Sequence, residues 1–377
     1  MSGYYFNCSE VGVWSINDAY RYTTENRWVV DGTGGCLFSW GVNSIGELGD
    51  GTTITRSSPV QVPGTSWNDI AGGGCYSLAR KTDGTLWSWG YNGSGRLGDG
   101  TNICRSSPVQ VPGTAWNDIA GGRVHSLARK TDGTLWSWGR GNFGSLGNGT
   151  SIHRSSPVQV PGTSWNDIAG GAYHSLARKT DGTLWSWGCN AYGQLGDGTI
   201  IHRSSPVQVP GTQWNDISGS AYHSLARKTD GTLWSWGDNG FGKLGDNNII
   251  HRSSPVQVTG TAWNDISAGL FFSLARKDDG TLWSWGYNGF GRLGDGTTIT
   301  RSSPVQVPGT SWNDIAGGGD HSLARKTDGT LWSWGVNDQG RLGDGTTITR
   351  SSPVQVSGIA WNDIAASRGH SLGIVCR

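Results

Sequence analysis

Long apolar runs are missing from this chain. No stretch approaches the roughly 18 apolar residues that a membrane helix needs. The opening MSGYYFNCSEVGVW has neither a basic start nor an apolar core, so no secretory signal is read in it and a cytoplasmic location is expected. Charge of one sign is lacking too. A formal net charge of +1 gives no overall field to draw in nucleic acid or an acidic membrane, and neither is expected as a partner. Zinc spacings are absent: Cys8, Cys36, Cys75, Cys104, Cys189 and Cys376 include no CxxC pair. Catalytic signatures are absent as well, with no GxSxG elbow and no HExxH. A GxGxxG-like string from Gly90 to Gly95 falls in a strand-to-strand loop rather than ahead of a helix. These absences predict a protein that is not an enzyme and takes neither metal nor cofactor.

What is present is glycine and tryptophan. With 63 Gly and 22 Trp in 377 residues, and charged residues at only 15%, the composition suits short strands joined by tight turns. A disordered chain would lack the aromatics. Internal repetition decides the fold. SWG tryptophans fall at Trp40, Trp89, Trp138, Trp187, Trp236, Trp285 and Trp334, always 49 residues apart. WNDI recurs at the same step from Trp67 to Trp361, and RSSPVQV recurs unchanged from Arg56 to Arg350. A period near 50 built of short strands predicts an all-β, closed seven-bladed β-propeller with four antiparallel strands per blade. In one unit the strands are read at 67–71, 76–81, 85–90 and 107–111. Asp83-Gly84, between the second and third, predicts a two-residue hairpin turn with φ > 0.

The ends complete a ring. Residues 361–377 match the first two strands of a unit and residues 35–66 the last two, so the last blade is shared between the termini. Splicing the alignment there puts Cys376 at the position of Thr82 and Cys36 at that of Thr85. Antiparallel geometry spaces such positions about 5.5 Å apart. The two cysteines are expected as neighbours across the closure, either as a disulfide or as a pair of thiols. Residues 1–34 lie outside the count and read as a decayed half-unit or an arm ahead of a 35–377 propeller.

The unit G-x-x-H-S-L-A, followed by D-G-T-L-W-S-W-G-x-N-x-x-G-x-L-G-D-G, resembles the regulator of chromosome condensation repeat over residues 35–377. That resemblance implies the seven-bladed propeller and says much less about activity. The family's founding member exchanges nucleotide on a small GTPase through a wedge inserted in one blade, and the unbroken spacing of 49 leaves no room for one. A photoreceptor relative carries Gly-Trp-Arg-His-Thr. The matching strings here, GRVHS (122–126), GAYHS (171–175) and GLFFS (269–273), lack its tryptophan. In style the chain is similar to bacterial propellers that inhibit β-lactamases through one face of the ring.

Differences among the repeats collect in three places: after the opening strand, after SWG, and just before RSSPVQV. Up-and-down topology brings these onto one face and leaves the opposite face nearly sevenfold identical. One-sided variation on loops predicts a recognition surface. Departures from the local pattern, Arg123, Val124, Arg140, Tyr173, Tyr222, Leu270, Phe271, Phe272, Asp320 and Arg368, are the expected partner-binding residues. His125, His174, His223, His321 and His370 share one position and read as structural. Phe143, Tyr192, Phe241 and Phe290 share another and read as packing residues. In the first two loop sets Arg96, Arg123, Arg140, Lys243, Arg292, Arg341 and Arg368 outnumber Glu47, Asp238, Asp320 and Asp338, which predicts a mildly acidic protein partner. The expectation is a monomeric binding propeller. A nucleotide-exchange regulator and a purely structural or designed scaffold are the alternatives.

Overall fold

Glycine-rich turns cut every apolar run to strand length. In a computed structural model, which describes residues 35–358 and 360–375, the first complete unit forms strands Trp67–Gly72, Tyr76–Lys81, Leu86–Gly90 and Arg105–Val111. They pair antiparallel in that order. Five further sheets repeat the pattern, and we number these blades one to six along the chain, ending with residues 312–356. The closing blade joins Trp361–Ala366 and His370–Val375 to Cys36–Gly41 and Arg56–Gln61. The chain is a seven-bladed all-β propeller with its closing blade shared between the termini. No helix among the described residues is long and apolar enough to cross a membrane.

The core lies between blades. Trp116 and Ile119 of the second blade pack with Leu78, Leu86 and Val111 of the first, and Trp138 joins them. Trp138 is fully buried, and its indole N–H donates to the Arg96 carbonyl of the blade before it at 2.9 Å. The Ser126 hydroxyl donates to the same carbonyl at 2.7 Å. This two-donor staple recurs at the carbonyls of Glu47, Ser145, Gln194, Lys243 and Arg292. Because the backbone oxygen makes the staple, the side chain at that position is free to vary. At the closing seam Ser371 still donates to Arg341, whereas the Trp40 indole N–H finds no acceptor.

The same packing dictates a glycine. Gly98 has φ +74°, and a Cβ there would stand 2.5 Å from the Trp138 indole nitrogen. Repeated LGDG is thus the bed on which the next blade's tryptophan lies.

One local expectation is corrected. The Asp-Gly hairpin closes through three residues, not two. Lys81 N–H donates to Thr85 O at 3.0 Å, and of Thr82, Asp83 and Gly84 only Gly84 has positive φ, at +76°. This is a type I turn followed by a left-handed bulge residue. Asp83 Oδ1 accepts from the Thr85 N–H at 2.9 Å and its hydroxyl at 2.6 Å, which holds the three-residue form. In the closing blade the same loop length sets Cys36 opposite Val375. Cys36 is disulfide-bonded, and Cys376 lies outside the described residues, as does the 1–34 extension.

Candidate protein-binding face

The strand order puts the inner-to-second and third-to-outer connections at one end of every blade, and the hairpins and inter-blade links at the other. The hairpin face is built for stability. Lys81 lies 4.9 Å from the Trp67 ring and 4.8 Å from the Trp87 ring, and the same sandwich recurs in all six numbered blades. Nearer the axis, Asp69 pairs with Arg80 at 3.3 Å, and equivalent pairs follow through Asp314–Arg325. The closing blade lacks both features, since Ile374 and Val375 replace the arginine and lysine.

At the loop end, Gly74, Arg123, Ala172, Ala221, Leu270, Gly319 and Arg368 encircle the mouth of a narrow axial channel. Arg123, Arg140, Tyr173, Tyr222, Leu270, Phe271 and Asp320 are half-buried and Arg368 is exposed. Val124 and Phe272 are withdrawn. Val124 is buried, and Phe272 sits in the core cluster with Leu274 and Trp334, so neither can meet a partner directly. Phe272 replaces a histidine whose counterparts bond across seams. His125 Nε2 lies 2.7 Å from Ser175 Oγ, and His174, His223, His321 and His370 make the same contact. Burial pulls the His125 pKa down to about 4 and that of His174 to about 3, which removes them as proton shuttles near neutrality.

The charge count also changes. Arg96, Lys243, Arg292, Arg341 and Glu47 are buried on the stapling residue of each seam. Lys243 pairs with Asp238, Arg292 with Asp320 at 3.2 Å, and Arg341 with Asp338 at 2.8 Å. Burial pushes the Lys243 pKa down against the pull of Asp238. Removing the buried and paired groups leaves Arg123, Arg140 and Arg368 with no acidic residue of these loops against them, so the excess rests on three arginines while the other charges serve the seams.

Aromatic rings bridge four of the seams or the loops beside them. Phe143 meets Tyr173 and His202 of the next blade at 6.2 and 4.8 Å. Tyr192 meets Tyr222 and His251 at 5.6 and 5.4 Å. Phe241 meets Phe271 and Tyr287 at 6.1 and 4.8 Å. Arg292 stacks on Tyr287 at 4.5 Å beside Phe290. Phe143, Tyr192, Phe241 and Phe290 nevertheless stay 41–52% exposed, so these packing residues are also surface. The opposite side of the ring differs. There a cleft of about 280 Å³ opens between the sixth, closing and first blades, lined by Glu47, Cys75, Asp320, Gln339, Arg341 and Arg368 among others.

One set of residues escaped the repeat comparison because it does not vary. Ile54, Ile103, Ile152, Ile201, Ile250, Ile299 and Ile348 occupy one position in all seven blades and are 56–60% exposed. With Ile200, Ile249 and the four aromatics, they are the exposed large hydrophobic residues of the described chain, and every one lies on a third-to-outer connection. Reading constancy as framework hid them; invariance combined with a polar turn setting was the available signal.

The RCC1-like domain family matches residues 28–263, and the regulator of chromosome condensation (RCC1) repeat matches residues 279–325 and 328–374. The chain belongs to the RCC1 repeat family. Solved relatives agree on the fold. Prp20p of Saccharomyces cerevisiae, described with its binding properties to Gsp1p and histones, is 22% identical with a TM-score of 0.83, covering 91% of each chain. Yeast RCC1 (Prp20) bound to Kap60 is 21% identical with a TM-score of 0.82, covering 99% of this chain and 94% of that one. Human WBSCR16 is 21% identical with a TM-score of 0.81, covering 90% of this chain and 98% of that one. A search of curated proteins returned no match. At these identities the RCC1-type likeness speaks to the fold.

Proposed function

We propose that this RCC1-type propeller is a non-catalytic binding protein that presents its loop face to a protein partner. One observation carries the reading: all exposed large hydrophobic residues of the described chain lie on that face, while the hairpin face carries none. Exposed apolar side chains concentrated on one surface are the usual mark of a protein interface. The aromatic arc from Phe143 to Phe290 supplies anchors of the kind that dominate binding energy, and Arg123, Leu270 and Phe271 surround the axis within it. Buried, depressed histidines and the absence of a catalytic motif support binding over catalysis. The yeast relatives, one described with its binding to Gsp1p and histones and the other bound to Kap60, are in keeping with a protein partner.

The test is a pull-down from source lysate with three baits: the native chain, an Arg123→Ser/Tyr192→Ser/Phe271→Ser variant of the loop face, and a Lys130→Ser/Lys228→Ser/Lys326→Ser variant of the hairpin face. A partner held by the first and third and lost by the second is the expected result. A partner held by the loop variant and lost by the hairpin variant would move the site to the opposite face.

A further inference from the structure

Ile54 and its six equivalents form a crown. Each stands two residues ahead of the arginine that opens an outer strand, beyond the strand end on the loop side. Nothing in the fold requires isoleucine there. Its carbonyl accepts from the Asn43-type amide in three blades, and its N–H donates to the Thr52-type hydroxyl, both backbone contacts that any residue can make. Burial cannot explain it either, at 56–60% exposure.

We infer that the crown is a self-association surface and that its occupant is a second copy of this chain, packed loop face to loop face. This rests on the binding reading above and names its partner. Three observations select a second copy. The apolar contact repeats in every blade, so a partner that uses all of it must itself repeat sevenfold, and another ring does so. Area suffices: at roughly 100 Å² for each partly exposed isoleucine or aromatic ring, the crown and arc offer on the order of 1,100 Å² per copy, above the ~800 Å² per partner of a standard interface. Charge permits it. The arginine beside the crown is neutralised in six blades, by Asp50, Asp99, Asp197, Asp246, Asp295 and Asp344 at 2.9–3.2 Å. Only in the second blade does Asn148 replace the aspartate. That pairing removes like-charge repulsion at six of the seven crown positions, leaving Arg154 there and Arg123, Arg140 and Arg368 elsewhere on the face, whereas an anionic lipid surface would call for unpaired cations all along the crown. A two-fold axis across the shared ring axis makes the contact isologous and closed. The inference sets a dimer against the monomer expected from sequence.

Sedimentation velocity of the full chain from about 1 to about 100 μM tests this across the usual range of protein self-association. The native protein is expected to move from one to two chain masses. Ile103→Ser/Ile201→Ser/Ile299→Ser is expected to weaken the dimer by at least about a hundredfold, with unchanged near-UV circular dichroism and melting temperature because these side chains are exposed. Asp83→Lys/Asp181→Lys/Asp279→Lys, on the hairpin face, is expected to leave it intact. A native chain that stays at one mass throughout, a crown variant that dimerises like the parent, or a dimer broken by the hairpin variant would each overturn the inference. If the native chain stays at one mass while the lysate partner still depends on the loop face, the inference fails alone and the binding reading stands.

Discussion

The two faces of the ring are made by the same repeat and have diverged unequally. On the hairpin face the lysine sandwich, the Asp–Arg pair and the Asp-Gly-Thr turn recur blade after blade, each side chain bonded within its own blade. On the loop face the bonds that hold the ring come from backbone carbonyls, such as that of Arg96, which accepts from Trp138 and Ser126. Side chains at the stapling position are not fixed by the staple, and the charged ones serve their seams in different ways. A position that contributes only its carbonyl tolerates Glu47, Ser145 or Lys243 alike; one that contributes a ring or a carboxylate does not. Unequal divergence therefore has a physical basis in addition to any recognition role.

Removing a framework side chain should break the comparison hardest. Trp138→Ala takes a fully buried indole from the seam between the first and second blades and leaves the Arg96 carbonyl with one donor. The expected loss is about 3–5 kcal/mol, as for other large-to-small aromatic core changes. Denaturant unfolding checks it, and a loss below about 1 kcal/mol would mean the seam is not held as described.

The hairpin face departs from sevenfold identity at the closing blade, and this sharpens the comparison. Asp363 has no arginine opposite it, because Ile374 stands there. Burial, with Asp69 and Asp314 alongside, pushes its pKa up to about 7. A carboxyl whose folded pKa exceeds its unfolded value of about 3.9 binds more protons in the folded state between those limits. Stability from this group is therefore greatest at low pH and is lost as pH rises through 7. Asp363→Asn should gain on the parent progressively from about pH 4 to pH 7, so that its advantage at pH 8 exceeds that at pH 5 by on the order of 1 kcal/mol after solvent screening. The neutral buried histidines oppose this trend below their unfolded pKa, but they are common to both proteins and cancel in the difference. Asp118 is also pushed up by burial but faces Arg129, so Asp118→Asn, which strips that arginine of its partner, should show a smaller gain between the two pH values. Melting curves of the three proteins at pH 5 and pH 8 decide it; an equal shift at both values would exclude ionisation as the cause.

Much of this was legible in the residues. A period of 49 with WNDI, SWG and RSSPVQV in fixed phase leaves little freedom in blade count, strand order or the shared last blade. The turn was harder. Asp-Gly is common to two- and three-residue hairpins, and the choice rests on the Thr85 bonds to Asp83, which sequence does not display. The candidate face was legible as a side of the ring but not in its membership. Sequence position alone does not separate Phe271, half-buried beside Tyr287, from Phe272, which points into the core one residue later. Nor does it distinguish a guanidinium in solvent from Arg292, which closes a seam against Tyr287 and Asp320.

The mildest change probes the aromatic arc. Phe143 has φ +61°, sits 45% exposed, and touches Tyr173 and His202 only at ring edges or tilted faces. A left-handed backbone suits no bulky side chain, so the position is filled by phenylalanine at some conformational cost. Phe143→Asn trades an exposed ring for a residue that tolerates positive φ. The backbone gain and the lost edge contacts should nearly cancel, leaving stability within about 0.5 kcal/mol of the parent. If the ring is there to be bound, partner affinity should still fall by about tenfold, roughly 1.4 kcal/mol. Chemical denaturation and a binding isotherm on one preparation separate the two effects. A protein that loses stability and binding in proportion would make Phe143 a packing residue, and the arc would lose one of its four exposed rings.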